Sequence, residues 1–418
     1  MKRWAGVVLL LACAALAAWS GGQKEAEEIT LEWQQWMYGD DAKIYATVIS
    51  DFEQANPRTK VKITELSYQD HYSNIEVRMS GGNAPDIFRN EYGFLARYEK
   101  NKQAVDLKPY FPASYWKRFW PKLMEFCDIK GGVYGVPQMT DTTVVFYNKD
   151  LFKKAGVTAP ESAKNAWTWD DWEAVGRKLK QAGVKYGMAG ATYGGTCWYY
   201  VSWGGGFVSQ DGSKPYMNVP GVLDGLQRQK KWFDEGLEPI STLWFNPDNF
   251  ENLFSMGQIG MIWSGIWMTT FMDKNAKSFE WGTTYCPKGP GGFGLHLGGC
   301  VNSISPDSKH PKEAAKFLEM LNNKKNMDAF CQQGYIPADV DLAKSIVYKN
   351  PAVAKTMKVA IDAYGEISPM IVTQYKASNL YSMYQAVQED LGPYFLGQVG
   401  VNDAVAKLEN DISRIMKQ

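Results

Sequence analysis

Apolar and polar residues near the start of the chain follow patterns that predict a strand, a helix and a second strand. Residues 29–33 form a strand-like run, and the helix begins at Asp41 and ends before Pro57, which cannot continue it. Apolar residues recur along that helix at Ile44, Val48 and Phe52. Val61 and Ile63 then alternate with polar residues, as in a half-buried strand. A β-α-β unit of this kind predicts a parallel sheet.

Further along, short runs of β-branched and aromatic residues bounded by glycine and proline predict more strands. The runs include Val133, Val136 and residues 144–147. Thr168, with Asp171 three residues later, is typical of a capped helix start. The apolar residues of that helix share one face, at Trp172, Val175 and Leu179. Strands alternating with helices predict an α/β protein.

Two helices are predicted in the last third of the chain. In residues 312–321, Ala315, Leu318 and Leu321 fall on one helical face. A last helix is predicted from Asn402, with its buried face at Val405, Leu408, Ile412 and Ile415. The longest apolar stretch, residues 255–272, is interrupted by Gln258 and Ser264. It therefore predicts buried core and not a membrane span.

The first residues have the pattern of an export signal. Lys2 and Arg3 precede an apolar run over residues 7–18, and the chain turns polar from Gly21. We expect residues 1–20 to be a signal peptide. Residues 10–13 also resemble a lipobox, which would lead instead to acylation of Cys13 and anchoring in the membrane. Either outcome places the folded body outside the cytoplasm, in the periplasm.

Composition narrows the choice of partners. At 418 residues the chain is long enough for two or three domains. Its 45 basic and 45 acidic residues balance and form no blocks, which disfavours nucleic acid or an anionic membrane as the main partner.

Beyond Cys13 the cysteines follow no metal-binding spacing, and we interpret most of them as small buried apolar residues. The histidines, His71, His296 and His310, lie far apart, so we expect no metal site and no cofactor.

Several different short motifs follow one another along nearly the whole chain after the signal. They include Gly-Asn-Ala-Pro-Asp-Ile at 82–87, Gly-Val-Tyr-Gly-Val-Pro at 132–137, Tyr-Asn-Lys-Asp-Leu-Phe at 147–152, Thr-Trp-Asp at 168–170, Gly-Gln-Ile-Gly-Met at 257–261, Gly-Ile-Trp at 265–267 and Gly-Tyr-Ile-Pro-Ala at 334–338. In this order the motifs resemble the family 1 extracellular solute-binding proteins of carbohydrate ABC importers, a maltose-binding-protein-like group.

The resemblance implies a two-lobed α/β fold of the type II periplasmic-binding-protein class, with discontinuous lobes joined by a hinge. It implies a first lobe of residues 21–140 with 286–328, and a second of residues 141–285 with 329–418. The chain would cross between them near residues 139–142, near 282–285 and near Asp328. It also implies a monomer that captures a sugar between its lobes without turnover and delivers it to ABC permease subunits in the inner membrane, powered indirectly by an ATPase.

Residues just after the predicted strands are candidates for ligand contact, because open α/β sheets bind ligands beyond the carboxyl ends of their strands. Aromatic rings pack on the apolar faces of a sugar, and carboxylates and amides accept hydrogen bonds from its hydroxyl groups. Trp267 also occupies the family's Gly-x-Trp position. The predicted ligand-binding residues are Trp36, Tyr38, Tyr68, Asn90, Glu91, Tyr92, Asp141, Trp198, Trp203, Trp263, Gly265, Trp267 and Tyr335.

Alternatives stay open at this stage. Arg89 would either pair with Glu91 or bind an anionic group of a ligand, which keeps a phosphorylated or acidic sugar open. A different solute, such as glycerol phosphate, a polyamine or a peptide, is a separate alternative. An extracellular carbohydrate-active enzyme would need two carboxylates across the scissile bond, and no signal pairs Glu91 with Asp141 in that way. The run at 289–294 fits a dinucleotide fingerprint, but it contains Pro290 and no helix pattern follows, so it predicts a loop.

Overall fold

The protein consists of two α/β lobes, seen in a computed structural model that describes residues 28–37, 40–190, 197–243, 247–377 and 379–417. The expected signal peptide, Cys13 and Tyr38 lie outside the described residues. The strands are β1 (Ile29–Gln35), β2 (Thr59–Glu65), β3 (Ile87–Glu91), β4 (Asp128–Ile129), β5 (Gly132–Val133), β6 (Val136–Asp141), β7 (Thr143–Asn148), β8 (Tyr186–Ala189), β9 (Gly206–Val208), β10 (Pro215–Tyr216), β11 (Ile259–Gly265), β12 (Trp281–Thr284), β13 (Gly298–Ile304) and β14 (Ile336–Pro337).

Helices surround these strands. They are α1 (Asp41–Ala55), α2 (Tyr68–Ser80), α3 (Leu95–Lys100), α4 (Ala113–Trp116), α5 (Pro121–Cys127), α6 (Lys149–Lys154), α7 (Trp169–Gln181), α8 (Cys197–Ser202), α9 (Pro220–Asp234), α10 (Pro247–Ser255), α11 (Thr269–Asn275), α12 (Pro311–Leu321), α13 (Lys324–Cys331), α14 (Val340–Ser345), α15 (Pro351–Tyr364), α16 (Pro369–Lys376), α17 (Leu380–Phe395) and α18 (Val401–Met416).

The first lobe is built on a six-stranded sheet in the order β14-β6-β13-β3-β1-β2. β1 pairs in parallel with β2 and β3, which confirms the predicted β-α-β unit. β13 runs antiparallel to both β3 and β6, so β3 and β6 point the same way. The core against this sheet is aromatic: the buried Trp33 ring packs edge-on against Tyr45 at 4.8 Å and Phe317 at 5.3 Å between centroids.

The second lobe is built on a four-stranded sheet in the order β12-β7-β11-β8. β11, from the longest apolar stretch of the sequence, is buried along its whole length, as predicted. α7 begins at Thr168 with the predicted capping box, in which the Thr168 hydroxyl accepts from the backbone N–H of Asp171. Its apolar face, with Trp172 fully buried, packs toward this sheet.

Within the described residues, the chain passes between the two lobes by three connections. The first is Thr142, the single residue between β6 and β7, and the second is residues 285–297 between β12 and β13. The third falls later than the predicted Asp328, because Ile336 and Pro337 still pair with β6 at the edge of the larger sheet. It lies between α14 and α15, where Asn350 donates to Asp273 of α11 in the second lobe. The lobe ranges otherwise stay a prediction.

The cysteines of the described chain fit the sequence interpretation as small buried residues. Within the described residues the thiols are buried and form no disulfide; they belong to Cys127, Cys197, Cys286, Cys300 and Cys331. Burial raises the pKa of Cys197 and of Cys300 to about 12, so both are protonated thiols at neutral pH.

Residues 289–294 form the predicted loop, closed by a bridge between Gly289 and Gly292. None of the helices described is long and apolar enough to cross a membrane.

Candidate ligand-binding site

The sheet topology brings distant carboxylates to one edge of the first lobe. Because β3 and β6 point the same way, their last residues, Glu91 and Asp141, lie at the same end of the sheet. β13 begins there as well, with Gly298 opposite Asp141 and Cys300 opposite Glu91. The residues just before β13 therefore join this edge, and His296 is one of them.

The facing edge belongs to the second lobe and carries tryptophans. β11 ends at Gly265, which pairs with Thr143 at the start of β7, directly after the first connection. Trp267 follows on a short helical turn and is half-buried. This position of the Trp267 indole requires glycine at residue 265, since a Cβ there would lie 2.2 Å from the indole. Trp198, on α8, is buried at the same edge.

Polar contacts order the carboxylates. The Tyr68 hydroxyl donates to Glu91 Oε2 at 3.1 Å, and His296 Nε2 lies 3.2 Å from Asp141 Oδ1. The other ring nitrogen of His296, Nδ1, is hydrogen-bonded to the Tyr375 hydroxyl. Asp141 Oδ1 accepts no aligned hydrogen bond from the residues described, so it keeps acceptor capacity for a further donor.

Aromatic rings surround the same imidazole. The His296 ring centroid lies 4.6 Å from that of Trp198 and 5.6 Å from that of Trp267, the second pair edge-to-face. Tyr375 approaches the ring at 5.8 Å. The site thus combines carboxylate acceptors, which can bind the hydroxyl groups of a sugar, with flat apolar rings, which can pack on its C–H faces.

Glu91 is electrostatically unusual. Burial raises its pKa from 4.5 to about 7; the nearby His296 opposes the rise, and the Asp141 carboxylate adds to it. The Tyr68 hydrogen bond lowers the pKa again by a smaller amount. Near neutral pH the carboxyl of Glu91 is therefore divided between its neutral and charged forms.

A pH dependence of stability follows from Glu91. Because its pKa is higher in the folded than in the unfolded chain, its contribution is fully present below about 4.5 and is lost as pH rises through about 7. We expect the melting temperature of the unliganded protein, relative to Glu91→Gln, to fall between about pH 5 and about pH 8. At about 2.1 cal/mol/K of unfolding entropy per residue, each 1 kcal/mol would move the melting temperature of a chain of this length by roughly 1 °C. A difference between the two proteins that stays constant over this range would contradict the assignment.

Among the predicted ligand-binding residues, the structure gathers a subset around His296. Those at the facing edges are Tyr68, Glu91, Asp141, Trp198, Gly265 and Trp267. Tyr38 lies outside the described residues. For all of them, contact with a ligand stays a prediction.

The other predicted residues are buried and engaged within the lobes. Asn90 donates to Ser303 Oγ at 2.9 Å, and the Tyr92 hydroxyl donates to the Met139 carbonyl at 3.1 Å. Aromatic neighbours hold the rings of the remaining ones: Trp203 stacks on Trp169 and Tyr335 on Phe330, Trp263 packs at an angle to Trp169 and Trp198, and Trp36 packs edge-on against Tyr68 and His71. Their partners give each of them a structural role.

Arg89 neither pairs with Glu91 nor faces a ligand, the two alternatives that the sequence left open. It is 1% exposed and lies 3.4 Å from Asp41, and it donates to the Trp36 carbonyl at 2.8 Å. Its guanidinium also sits 4.7 Å above the Trp36 ring. The reason is the strand direction: Arg89 precedes Glu91 on β3 by two residues and so lies inside the lobe.

Two site residues were not found from the sequence. His296 was counted as one of three scattered histidines, and Tyr375 lies on α16, which was not predicted. Only the pairing of β13 with β6 shows that the residues before Gly298 meet Asp141. Within the part of the chain described, no group of three or more His, Cys, Asp or Glu residues could hold a metal ion.

Comparison with known proteins identifies the family. The model for the bacterial extracellular solute-binding proteins matches residues 36–328, well over half of the chain. A binding protein of Brucella abortus (strain 2308) is 25% identical over 363 residues, which cover 84% of this chain and 85% of that protein. The maltodextrin-binding protein MdxE of Bacillus subtilis (strain 168) is 26% identical over 346 residues, covering 79% of this chain and 76% of that protein.

The fold has the same relatives. An ABC substrate-binding protein from Listeria monocytogenes, solved in complex with cycloalternan, superposes with a TM-score of 0.78 at 22% identity. The superposition covers 94% of this chain and 100% of that one. The two-lobed α/β architecture expected from the motifs is therefore confirmed, and the chain belongs to the family of bacterial extracellular solute-binding proteins.

Proposed function

We propose that this protein is the extracytoplasmic binding component of an ABC importer and that its ligand is a neutral sugar, mono- or oligosaccharide, captured between the two lobes. The observation that carries the proposal is the meeting of Glu91 and Asp141 with Trp198 and Trp267 at the facing edges of the sheets. Carboxylates accept from sugar hydroxyl groups, and indole faces pack on sugar C–H groups.

The charge of the site supports a neutral ligand over an anionic one. The guanidinium of Arg89 is buried against Asp41, and the groups described at the edge include two carboxylates, two phenols and an imidazole. A phosphate or carboxylate would meet Glu91 and Asp141 as like charges. The related maltodextrin-binding protein and the cycloalternan complex are consistent with a saccharide, and we propose the same ligand class here.

The proposed role sets the other properties. The protein binds and releases its ligand without turnover, works as a monomer, and passes the sugar to permease subunits of the inner membrane that an ATPase drives. The single-residue connection between β6 and β7 lies at the candidate site, and closing the lobes about it would enclose the ligand. We propose that residues 1–20 direct export to the periplasm, with acylation of Cys13 as the alternative fate of this segment.

A thermal-shift panel on the processed protein tests the ligand class. Saturating ligand stabilises the bound state by about 2.7 kcal/mol at a concentration of 100 times Kd, which shifts the melting temperature measurably. We expect a concentration-dependent rise with neutral saccharides such as maltose and maltotriose, and none with sugar phosphates, polyamines or peptides. A rise with phosphates or polyamines alone would overturn the sugar assignment, and sustained release of product from a saccharide would overturn binding without turnover.

A further inference from the structure

One imidazole ring connects parts of the chain that are far apart in sequence. His296 lies on the second connection between the lobes, Asp141 stands at the end of β6 beside the first, and Tyr375 belongs to α16, beyond the third. His296 Nε2 faces Asp141 Oδ1 at 3.2 Å, and Nδ1 is hydrogen-bonded to the Tyr375 hydroxyl. A single side chain on the second connection thus links the end of β6 to α16.

The site is built to hold this contact. A Cβ on Gly298 would lie 1.8 Å from His296 Nε2 and 2.3 Å from Asp141 Oδ1, so only glycine leaves room for the pair. Tyr375 is 5% exposed, and its helix packs both on α8 of the second lobe and on the turn at residues 92–94 of the first. The hydroxyl that holds His296 Nδ1 is therefore on a helix packed against both lobes.

The imidazole also touches the lobe that carries the aromatic faces. Trp198 and Trp267 lie 4.6 Å and 5.6 Å from its centroid. Its side chain is only 13% exposed, and that of Asp141 9%. A ring so enclosed has little freedom to move independently of the Asp141 carboxylate or of the two indoles.

We propose that His296 is a positioning residue for ligand binding: it orients the Asp141 carboxylate toward the cleft and ties that orientation to the arrangement of the two lobes. The inference rests on the proposed function. It differs from ligand contact in that His296 acts through Asp141. Removing the imidazole should therefore matter only while the carboxylate is present.

A double-mutant cycle measures this dependence. Titration calorimetry with maltotriose is run on wild type, His296→Leu, Asp141→Asn and the double variant. We expect His296→Leu to weaken binding by about 10-fold in the wild-type background and by less than about 2-fold when Asp141 is already asparagine. Equal losses in both backgrounds, or no loss at all, would overturn the proposal.

Three further variants separate positioning from general damage. His296→Gln keeps a donor and an acceptor on the side chain and should retain affinity within about 3-fold of wild type. Gly298→Ala keeps the His296 and Asp141 side chains but forces them apart, because the new Cβ would overlap both. It should weaken binding about as much as His296→Leu. His310 is a half-buried histidine at the start of α12, away from the contact between His296 and Asp141. His310→Leu should therefore leave Kd unchanged. A loss with His296→Gln as large as with His296→Leu would contradict the positioning role.

The same four proteins, studied without ligand, distinguish failure of the proposed function from failure of the positioning role. If wild type binds neither maltotriose nor any other saccharide of the panel, the proposed function fails. The link between His296 and Asp141 is then judged by urea unfolding, in which the double variant should lose no more stability than the worse single variant. Additive losses of stability would overturn it.

Discussion

Replacing Trp267 with alanine is expected to weaken sugar binding by about 30-fold or more while changing the melting temperature little. Loss of an aromatic anchor in a binding site typically costs about 2 kcal/mol or more, and each 1.4 kcal/mol is about tenfold in Kd. Trp267 is half-buried on a short turn at the mouth of the second lobe, and the buried core of that lobe lies behind it. Calorimetric titration gives the affinity and thermal unfolding gives the stability.

Trp281 offers a matched control for this experiment. It is also a half-buried tryptophan of the second lobe, but it pairs with Asn148 at the end of β7 opposite to Thr143, away from the candidate site. Trp281→Ala should therefore lower the melting temperature, because the ring packs on Phe146 at 5.8 Å, and leave Kd unchanged. Sugar affinity within about twofold of wild type in Trp267→Ala would place the site elsewhere.

Replacing Arg89 with methionine is expected to destabilise the protein by about 3–5 kcal/mol, the usual cost of removing one partner from a buried ion pair. The change leaves the Asp41 carboxylate, which is fully buried, without the guanidinium 3.4 Å away. It also removes the donor to the Trp36 carbonyl and the cation above the Trp36 ring. Urea unfolding of the unliganded protein measures the loss.

Arg78→Met is the control for this substitution. Arg78 pairs with Glu32 at 2.7 Å, but both side chains are partly solvated, at 21% and 30% exposed. Water screens such pairs, so the expected loss is about 1 kcal/mol or less. If Arg89→Met cost no more than Arg78→Met, the stability of the first lobe would not depend on the buried pair.

Local structure was predictable from the sequence because its causes are local. The helix from Asp41 and the capped start at Thr168 depend on spacings of three and four residues, and both elements form where expected. The number and order of the motifs gave the family and hence the two-lobed fold. Glu91 and Asp141 were chosen because residues after parallel strands share an edge, and the structure places them there.

The remainder of the site depends on long-range register, which no local pattern encodes. His296 meets Asp141 only because β13 pairs antiparallel with β6 so that Gly298 stands opposite Asp141, 157 positions earlier. A separate long-range pairing, of β14 with β6, decides that Ile336 and Pro337 belong to the first sheet. Tryptophans are frequent in this chain, and composition could not separate Trp203 or Trp263, which fill the core, from Trp267.

The threefold passage of the chain between the sheets has a consequence for synthesis. β3 cannot gain its second neighbour until β13 has been made, and the edge of that sheet is complete only after Pro337. A nascent chain that ends anywhere before this point therefore exposes an unpaired strand, and pairing over such separations is slow. We expect the first sheet to stay protease-sensitive until Pro337 has been made, whereas all four strands of the second sheet are present once Thr284 has been made.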